Sequence, residues 1–400
     1  MKRMFICTER VFPRGDAGAN YIQYFAQALL EKNWEVTVIS CGKKQYDASG
    51  KIITNHKGIQ CEYLDLPENK IQHYLSFTYC LGKIFVKKLK NLGFSDDDYV
   101  GFYTYNKCLV EGVLNSALRI KKERSVIFCV EWYQKENYIN DKFGSRYRRY
   151  NDFFRCIYPK CGKIFSISKL INEHFKSIGC ETMILPIMAD VTEYVTNEDV
   201  HAIKSIKKDT VDFIYSGNAN NKDSFSVMFR SVALAREKYG NRIVFHLTGI
   251  KREKLEKVLG FDAEIIEKLG DSLIIHPWLR YEELVNLLRT MDFLLLPRED
   301  IHSNRANFPS KLPEMMSYGI IPICSNVGDY AEGYIKNHEN GFLMNGCDEK
   351  VCFDAIDIAM KLSKDKREEM AMDARKTVEA KFDYHNWTEI IDDFLTNPRT

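Results

Sequence analysis

Short apolar runs alternate with longer stretches whose apolar residues recur at helical spacing, and the chain passes through this rhythm twice. MFICT (4–8) leads into a helical pattern over 18–32, and WEVTVIS (34–40) follows it. Within that pattern Ile22, Phe25, Ala26 and Leu29 fall on one face and predict a buried stripe. Further strands are expected at 99–105, 125–130, 163–168 and 182–187. Strands separated by helices imply right-handed crossovers and a parallel, doubly wound sheet.

The pattern restarts with VDFIYSG (211–217), then strands at 242–249, 272–278, 292–297 and 319–325, with helices expected at 223–238, 251–269, 281–290 and 310–318. Leu294, Leu295 and Leu296 form an unbroken apolar run, as in a strand covered on both faces. The weakly patterned 189–209 separates the halves, giving domains at 1–188 and 189–381. FDYHNWTEIIDDFL (382–395) reads as an amphipathic helix after the second unit is complete; it either packs on its own domain or, with the rest of 382–400, crosses back to the first.

Length supports this division, because 400 residues exceed one ordinary core. A formal net charge of +2 gives no global reason to expect nucleic acid as a partner. The 12 cysteines are scattered, mostly in apolar runs, as free thiols in a reducing compartment would be. The pairs Cys156/Cys161 and Cys347/Cys352 lack zinc-site spacing, so no metal is expected. The N-terminal apolar run is interrupted by Glu9 and Arg10, unlike a signal peptide, and no stretch approaches the ~20 apolar residues of a membrane span. A cytoplasmic protein, at most peripheral on a membrane, is the expectation.

In doubly wound sheets ligands bind beyond the C-terminal strand ends, and with two such domains the expected place is a cleft between them. After the first strand, TERVFPRGDAGAN carries Gly15 and Gly18 ahead of a long helix, where backbone amides and the helix dipole suit a phosphate; a glycine needed only for a turn is the equal alternative. Neither half shows a dinucleotide or Walker fingerprint. In the second half Gly217 and Asn218 precede Lys222, a lysine close to a helix start that an anion would neutralise; a solvated surface lysine is the alternative. The segment 294–326 is richer still. Its buried strand ends in a polar loop with Arg298, Glu299, Asp300 and Arg305, and Pro309, Ser310 and Lys311 follow. Ser310 predicts an N-cap, Pro313 a first helical turn and Gly319 the helix end. Lys311 and the first-turn amides suit a diphosphate, and Glu314 could accept from ribose hydroxyls or merely complete the cap.

From 309 to 344 the chain resembles the donor-binding segment of retaining GT-B glycosyltransferases of family GT4, through Glu314, Ser317–Tyr318–Gly319, Pro322 and Asn340–Gly341. The Arg298, Asn304 and Pro309–Lys311 spacing is similar to the capsule and lipopolysaccharide-assembly branches. The resemblance implies two Rossmann-like domains facing a cleft, a nucleotide-diphosphate sugar as donor, a phosphate-binding role for Lys222 after Gly217, and retention of anomeric configuration. IFSISKLINEHF (164–175) and Met188–Ala189–Asp190 match lesser elements of the same family. Two positions depart from it: Ala306 where many members carry an acid, and Asn218 where many carry an arginine.

Acceptor chemistry points to CVEWYQKENY (129–138), where Glu131 at a strand end could orient or deprotonate a hydroxyl and Trp132 and Tyr133 could stack on a sugar; a surface carboxylate is the alternative, and Asp16 is a second candidate. With no D-x-D cluster at a strand end, Lys222, Arg298 and Lys311 are expected to meet the leaving-group charge without metal or cofactor. The segments 83–93 and 143–163 interleave basic and aromatic residues, which suits an anionic membrane surface and a lipid-linked saccharide acceptor, or is an ordinary cationic helix face. Two rivals remain: a nucleotide-sugar epimerase of the same build, and a non-catalytic nucleotide-sugar or glycan-binding protein.

Overall fold

A computed structural model of the chain describes residues 1–138, 141–194, 209–217 and 222–397. They form two compact units: Met1–Met188 with Tyr384–Thr400, and Ala189–Asp383.

The strands of the first unit are β1 (Arg3–Thr8), β2 (Glu35–Ser40), β3 (Asn55–His56), β4 (Ile59–Tyr63), β5 (Tyr99–Tyr103), β6 (Ser125–Cys129), β7 (Lys163–Ser166) and β8 (Glu181–Ile184). They make one sheet in the order β3-β4-β2-β1-β5-β6-β7-β8. Every pairing is parallel except the short β3–β4 hairpin at one edge. This hairpin lies outside the predicted strands, because IQCEY mixes polar and apolar residues over too short a span to be read. The predicted stripe is real: Ile22, Phe25, Ala26 and Leu29 of the helix Ala17–Leu30 are fully buried. The C-terminal helix Thr388–Thr396 belongs to this unit. It is held by Trp34, whose indole N–H donates to Asp392 at 2.6 Å, and by Tyr24 stacked on Tyr384. Lys163, 2% exposed, donates to the carbonyls of Phe394 and Leu395 and thus caps that helix's C-terminus, where a cation is favoured.

The second unit contains β9 (Val211–Ser216), β10 (Ile243–Thr248), β11 (Leu273–Ile275), β12 (Phe293–Leu296), β13 (Ile321–Ser325) and β14 (Phe342–Met344). Its six-stranded, wholly parallel sheet runs β11-β10-β9-β12-β13-β14. The chain starts at the centre, runs outward one way, then returns and runs outward the other, so the order reverses between β9 and β12. Phe293, Leu294, Leu295 and Leu296 are fully buried, the two-sided cover their unbroken run predicts. The pattern over 251–269 is not one helix but two, Arg252–Leu259 and Ile265–Leu269, parted at Gly260 where φ is +58°.

Candidate functional site

In the second unit the loops leaving β9 and β12 meet at the point where the strand order reverses, and they assemble a buried ionic cluster around Asp223. Its carboxylate, with no side-chain exposure, accepts from Arg298 Nε at 2.7 Å, Lys311 Nζ at 3.0 Å and the Tyr215 hydroxyl at 2.5 Å. Arg298 also donates to Asn307 Oδ1 at 3.1 Å, and its backbone N–H donates to Ser325 at the end of β13. Although burial opposes ionisation, the adjacent Arg298 and Lys311 hold the Asp223 carboxyl well below the usual carboxylate range.

Lys311 keeps 13% side-chain exposure, against 4% for Arg298. Its ammonium lies 3.7 Å from the centre of the Tyr215 ring, a cation–π contact in addition to the ion pair. Burial pulls its pKa down to about 8, with Asp223 opposing the shift. Gly217 stands beside it with φ at +131°, and a Cβ there would come 3.6 Å from Lys311 Nζ. Glycine therefore supplies a backbone conformation that L-residues avoid.

Glu314, one turn on in the helix Lys311–Ser317, is half-buried, and desolvation pushes its carboxyl up to about 7 despite the nearby Lys311. The helix ends as predicted, with Gly319 at φ +67° donating to Met316 O. Its start corrects one expectation. Ser310 has helical backbone angles and makes no side-chain cap; Pro309 O instead accepts from the Leu312 N–H. Pro309 is buried, and Ser310 has no capping partner in Glu314.

Lys222 precedes Asp223 directly, and its carbonyl accepts from Asn304 Nδ2, tying the β9 loop to the β12 loop. Asn218 lies outside the described residues. Arg305 is exposed and paired in bidentate fashion with Asp300, so its charge is already balanced. Ala306 is fully buried. Asp223, the hub of the cluster, is absent from the residues singled out in the sequence, as are Tyr215 and Asn307. A carboxylate beside a lysine before a helix is commonplace, and nothing local marks its partners at 298 and 311.

In the first unit Glu131 follows β6, and its carbonyl accepts from the Tyr150 hydroxyl at 2.7 Å. Trp132 is stacked on Phe154 at 4.7 Å and meets His174 at 4.6 Å, so these neighbours already occupy it. The glycines after β1 serve packing. A Cβ on Gly18 would stand 2.9 Å from the Tyr103 ring, and one on Gly15 would stand 2.3 Å from Val11 O. Asp16 accepts from the Gly18 N–H and pairs with Arg10 at 2.9 Å, so a carboxylate already fills the helix start proposed for a phosphate. In 143–163 the aromatic residues Tyr150, Phe153, Phe154 and Tyr158 are buried, while Arg146, Arg148, Arg149 and Arg155 face outward. Lys163 is not part of that surface.

Among the described residues no group of three or more histidine, cysteine or acidic side chains is arranged to hold a metal ion, and no helix is long and apolar enough to cross a membrane.

Residues 196–377 match the family model described as "Glycosyl transferases group 1". A search of the curated proteins finds no match. Sucrose-phosphate synthase from Thermosynechococcus elongatus is similar in structure, with a TM-score of 0.75 at 13% identity over 98% of both chains. WaaG, a glycosyltransferase involved in lipopolysaccharide biosynthesis, gives 0.66 at 16% identity over 99% of this chain and 100% of its own. An Escherichia coli trehalose-6-phosphate protein bound with UDP-2-fluoro glucose gives 0.69 at 14% over 99% and 100%. The chain has the GT-B fold, with two mostly parallel α/β domains.

Proposed function

We propose that this chain is a glycosyltransferase that moves a sugar from a nucleotide-diphosphate donor to a saccharide acceptor, with the donor seated in the second unit. The observation that carries this is Lys311, part-exposed beside Gly217 at the strand-order reversal of a domain that matches the group 1 glycosyltransferases. The resemblance of 309–344 to retaining enzymes supports retention of configuration. Nucleotide-bound neighbours such as the Anabaena HepE structure with UDP support the donor class.

In the reaction the bond between the anomeric carbon and the β-phosphate oxygen breaks, a bond from that carbon to the acceptor oxygen forms, and the acceptor's hydroxyl proton leaves. Charge growing on the departing diphosphate is met by Lys311, with Lys222 close by in the chain. Arg298 is too enclosed to approach a ligand; it acts through Asp223, fixing the carboxylate that orients the Lys311 ammonium. Glu314 accepts from the ribose hydroxyls. Glu131 takes the acceptor proton. Neither a metal nor another cofactor enters this scheme.

Thermal-shift screening with UDP, GDP, ADP and CMP and their sugars tests the reading. One nucleoside diphosphate should raise the melting temperature, and Lys311→Ala should abolish the shift. If no nucleotide stabilises the chain, or Lys311→Ala responds like the parent, the donor assignment fails. Turnover of donor with no acceptor present would favour the epimerase, and binding without turnover the non-catalytic reading.

A lipid-linked acceptor and a place in bacterial surface polysaccharide synthesis extend the proposal, with the protein cytoplasmic and docked on the inner membrane face. Support comes from the outward arginines of the helix Ser145–Cys156, from Phe143 at 85% exposure, and from Ile71, Tyr74 and Tyr79 at 71%, 58% and 65% beside the lysines of 83–93. Sedimentation with anionic liposomes should detect binding, weakened by reversing Arg148 and Arg149.

A further inference from the structure

Val211, Phe213 and Tyr215 share one face of β9 by the two-residue period of a strand, and Tyr215 is the last of them before the loop that leads to Asp223. Tyr215 is fully buried, and its ring meets that of Phe225 edge to face, 4.8 Å between centres, at the start of the helix Phe225–Tyr239. Phenylalanine would fill the same space, so packing does not account for the hydroxyl.

That hydroxyl donates at 2.5 Å to Asp223 Oδ2, the oxygen that also accepts from Lys311 Nζ at 3.0 Å. Arg298 Nε takes the other oxygen. The ring of the same tyrosine lies 3.7 Å beneath the Lys311 ammonium. One side chain thus touches both partners of the ion pair, and its two contacts act in opposite senses. A hydroxyl sharing Oδ2 draws on the charge this oxygen offers the lysine, and so weakens the grip of Asp223. The ring face attracts the ammonium without giving it a directed partner, and so keeps it charged in a largely buried place. An ammonium has three N–H donors, and Asp223 engages one of them. The other charged groups acting on Lys311 are Arg298, from the loop after β12, and Glu314, from its own helix.

We infer that Tyr215 is a positioning residue for the donor diphosphate: its hydroxyl loosens the hold of Asp223 on Lys311 while its ring seats the ammonium. Lys311 is thereby kept charged yet able to turn to an anion. This rests on the reading of Lys311 as the residue that meets the diphosphate, and deepens it by explaining why the ion pair does not lock that lysine away. Tyr215 acts only through Lys311.

Two substitutions separate the two contacts. Tyr215→Phe keeps the ring and removes the oxygen, so Asp223 should grip harder and the Lys311 titration should move up by ~0.5 pH unit. Tyr215→Leu removes the ring as well, and its Lys311 should titrate about one pH unit below that of Tyr215→Phe. NMR of the full chain labelled at lysine Cε follows this titration, assigned by its disappearance in Lys311→Met; the parent should titrate at about 8. Calorimetry on the same samples measures whichever of UDP, GDP and ADP binds the parent. At pH 7 Tyr215→Phe should weaken it about threefold, the equivalent of that half unit. A tyrosine that only fills space would lower stability in both variants and leave Lys311 titrating as before. An unmoved or lowered titration in Tyr215→Phe would overturn the inference, even where Tyr215→Leu fails to fold, because only one oxygen is missing. So would Tyr215→Leu titrating at or above Tyr215→Phe, or a raised titration with unchanged nucleotide affinity. If a nucleotide binds the parent while the titration stays put, the inference falls and the donor reading stands; if none of the three binds, both fall.

Discussion

Replacing Asp223 by Asn keeps the shape of the buried cluster and removes the anion that Arg298 and Lys311 share. The Asp223 side chain has no exposure, Arg298 has 4% and Lys311 13%, so two largely buried cations would lose their common partner. One oxygen also becomes an N–H₂ facing another donor, either Arg298 Nε or Lys311 Nζ. Breaking a buried pair by removing one partner costs about 3–5 kcal/mol. For a domain of this size 1 kcal/mol moves the melting temperature by ~2–4 °C, so the second unit should melt ~6–20 °C lower. Linkage gives a second signature. The native pKa of Asp223 lies below its unfolded value, so its contribution is present above the ordinary carboxylate range and fades as pH falls through the native pKa. Asp223→Asn should therefore flatten the loss of stability in acid. Differential scanning calorimetry at several pH values reads both effects, and Asp223→Asn/Lys311→Met should recover part of the loss by removing one stranded charge. A melting temperature within about 2 °C of the parent, equivalent to roughly 1 kcal/mol or less, would refute the reasoning, because it would mean that the cluster is hydrated.

Three other outcomes are expected. Nucleotide affinity, followed by calorimetric titration, should peak between the Glu314 value of about 7 and the Lys311 value of about 8, falling in acid as Glu314 is protonated and in base as Lys311 loses its proton. Glu314→Gln should remove the acid limb, and a flat profile would exclude these two groups. Chelation with EDTA should leave turnover unchanged once a donor and acceptor pair is found; loss of activity restored by a divalent ion would show that lysines are not the whole answer to the leaving-group charge. Lys163→Met should leave the last carbonyls of the helix Thr388–Thr396 uncapped and lower the stability of the first unit by about 1.5–3 kcal/mol, seen in chemical denaturation, with nucleotide binding intact.

The periodicity of the chain carries most of the architecture. Runs such as MFICT and FLLL, too apolar for an exposed strand and too short for a helix, mark central parallel strands wherever they occur, because covering both faces of a sheet requires such residues. The helix stripe through Ile22, Phe25 and Leu29 and the helix end at Gly319 follow from equally local rules. Lys311, Glu314 and Gly217 were legible as candidates for the same reason: each stands just after a strand or at a helix start. Charge pairing was not legible. Asp223 lies 75 residues from Arg298 and 88 from Lys311, and only the crossing of the chain at the strand-order reversal brings them within hydrogen-bond distance. The same holds in the first unit, where Glu9 looked like no more than a break in an apolar run until β5 placed the Tyr105 N–H against its carboxylate. Burial, too, is a property of the assembled fold. It turned Lys163 from a surface cation into a helix cap, and it enclosed Arg298 behind the carboxylate it holds. Local sequence specifies which segments become strands and helices, since backbone sterics and side-chain period act over a few residues. Which side chains end up paired or enclosed depends on contacts between distant segments, and it is those contacts that define the site.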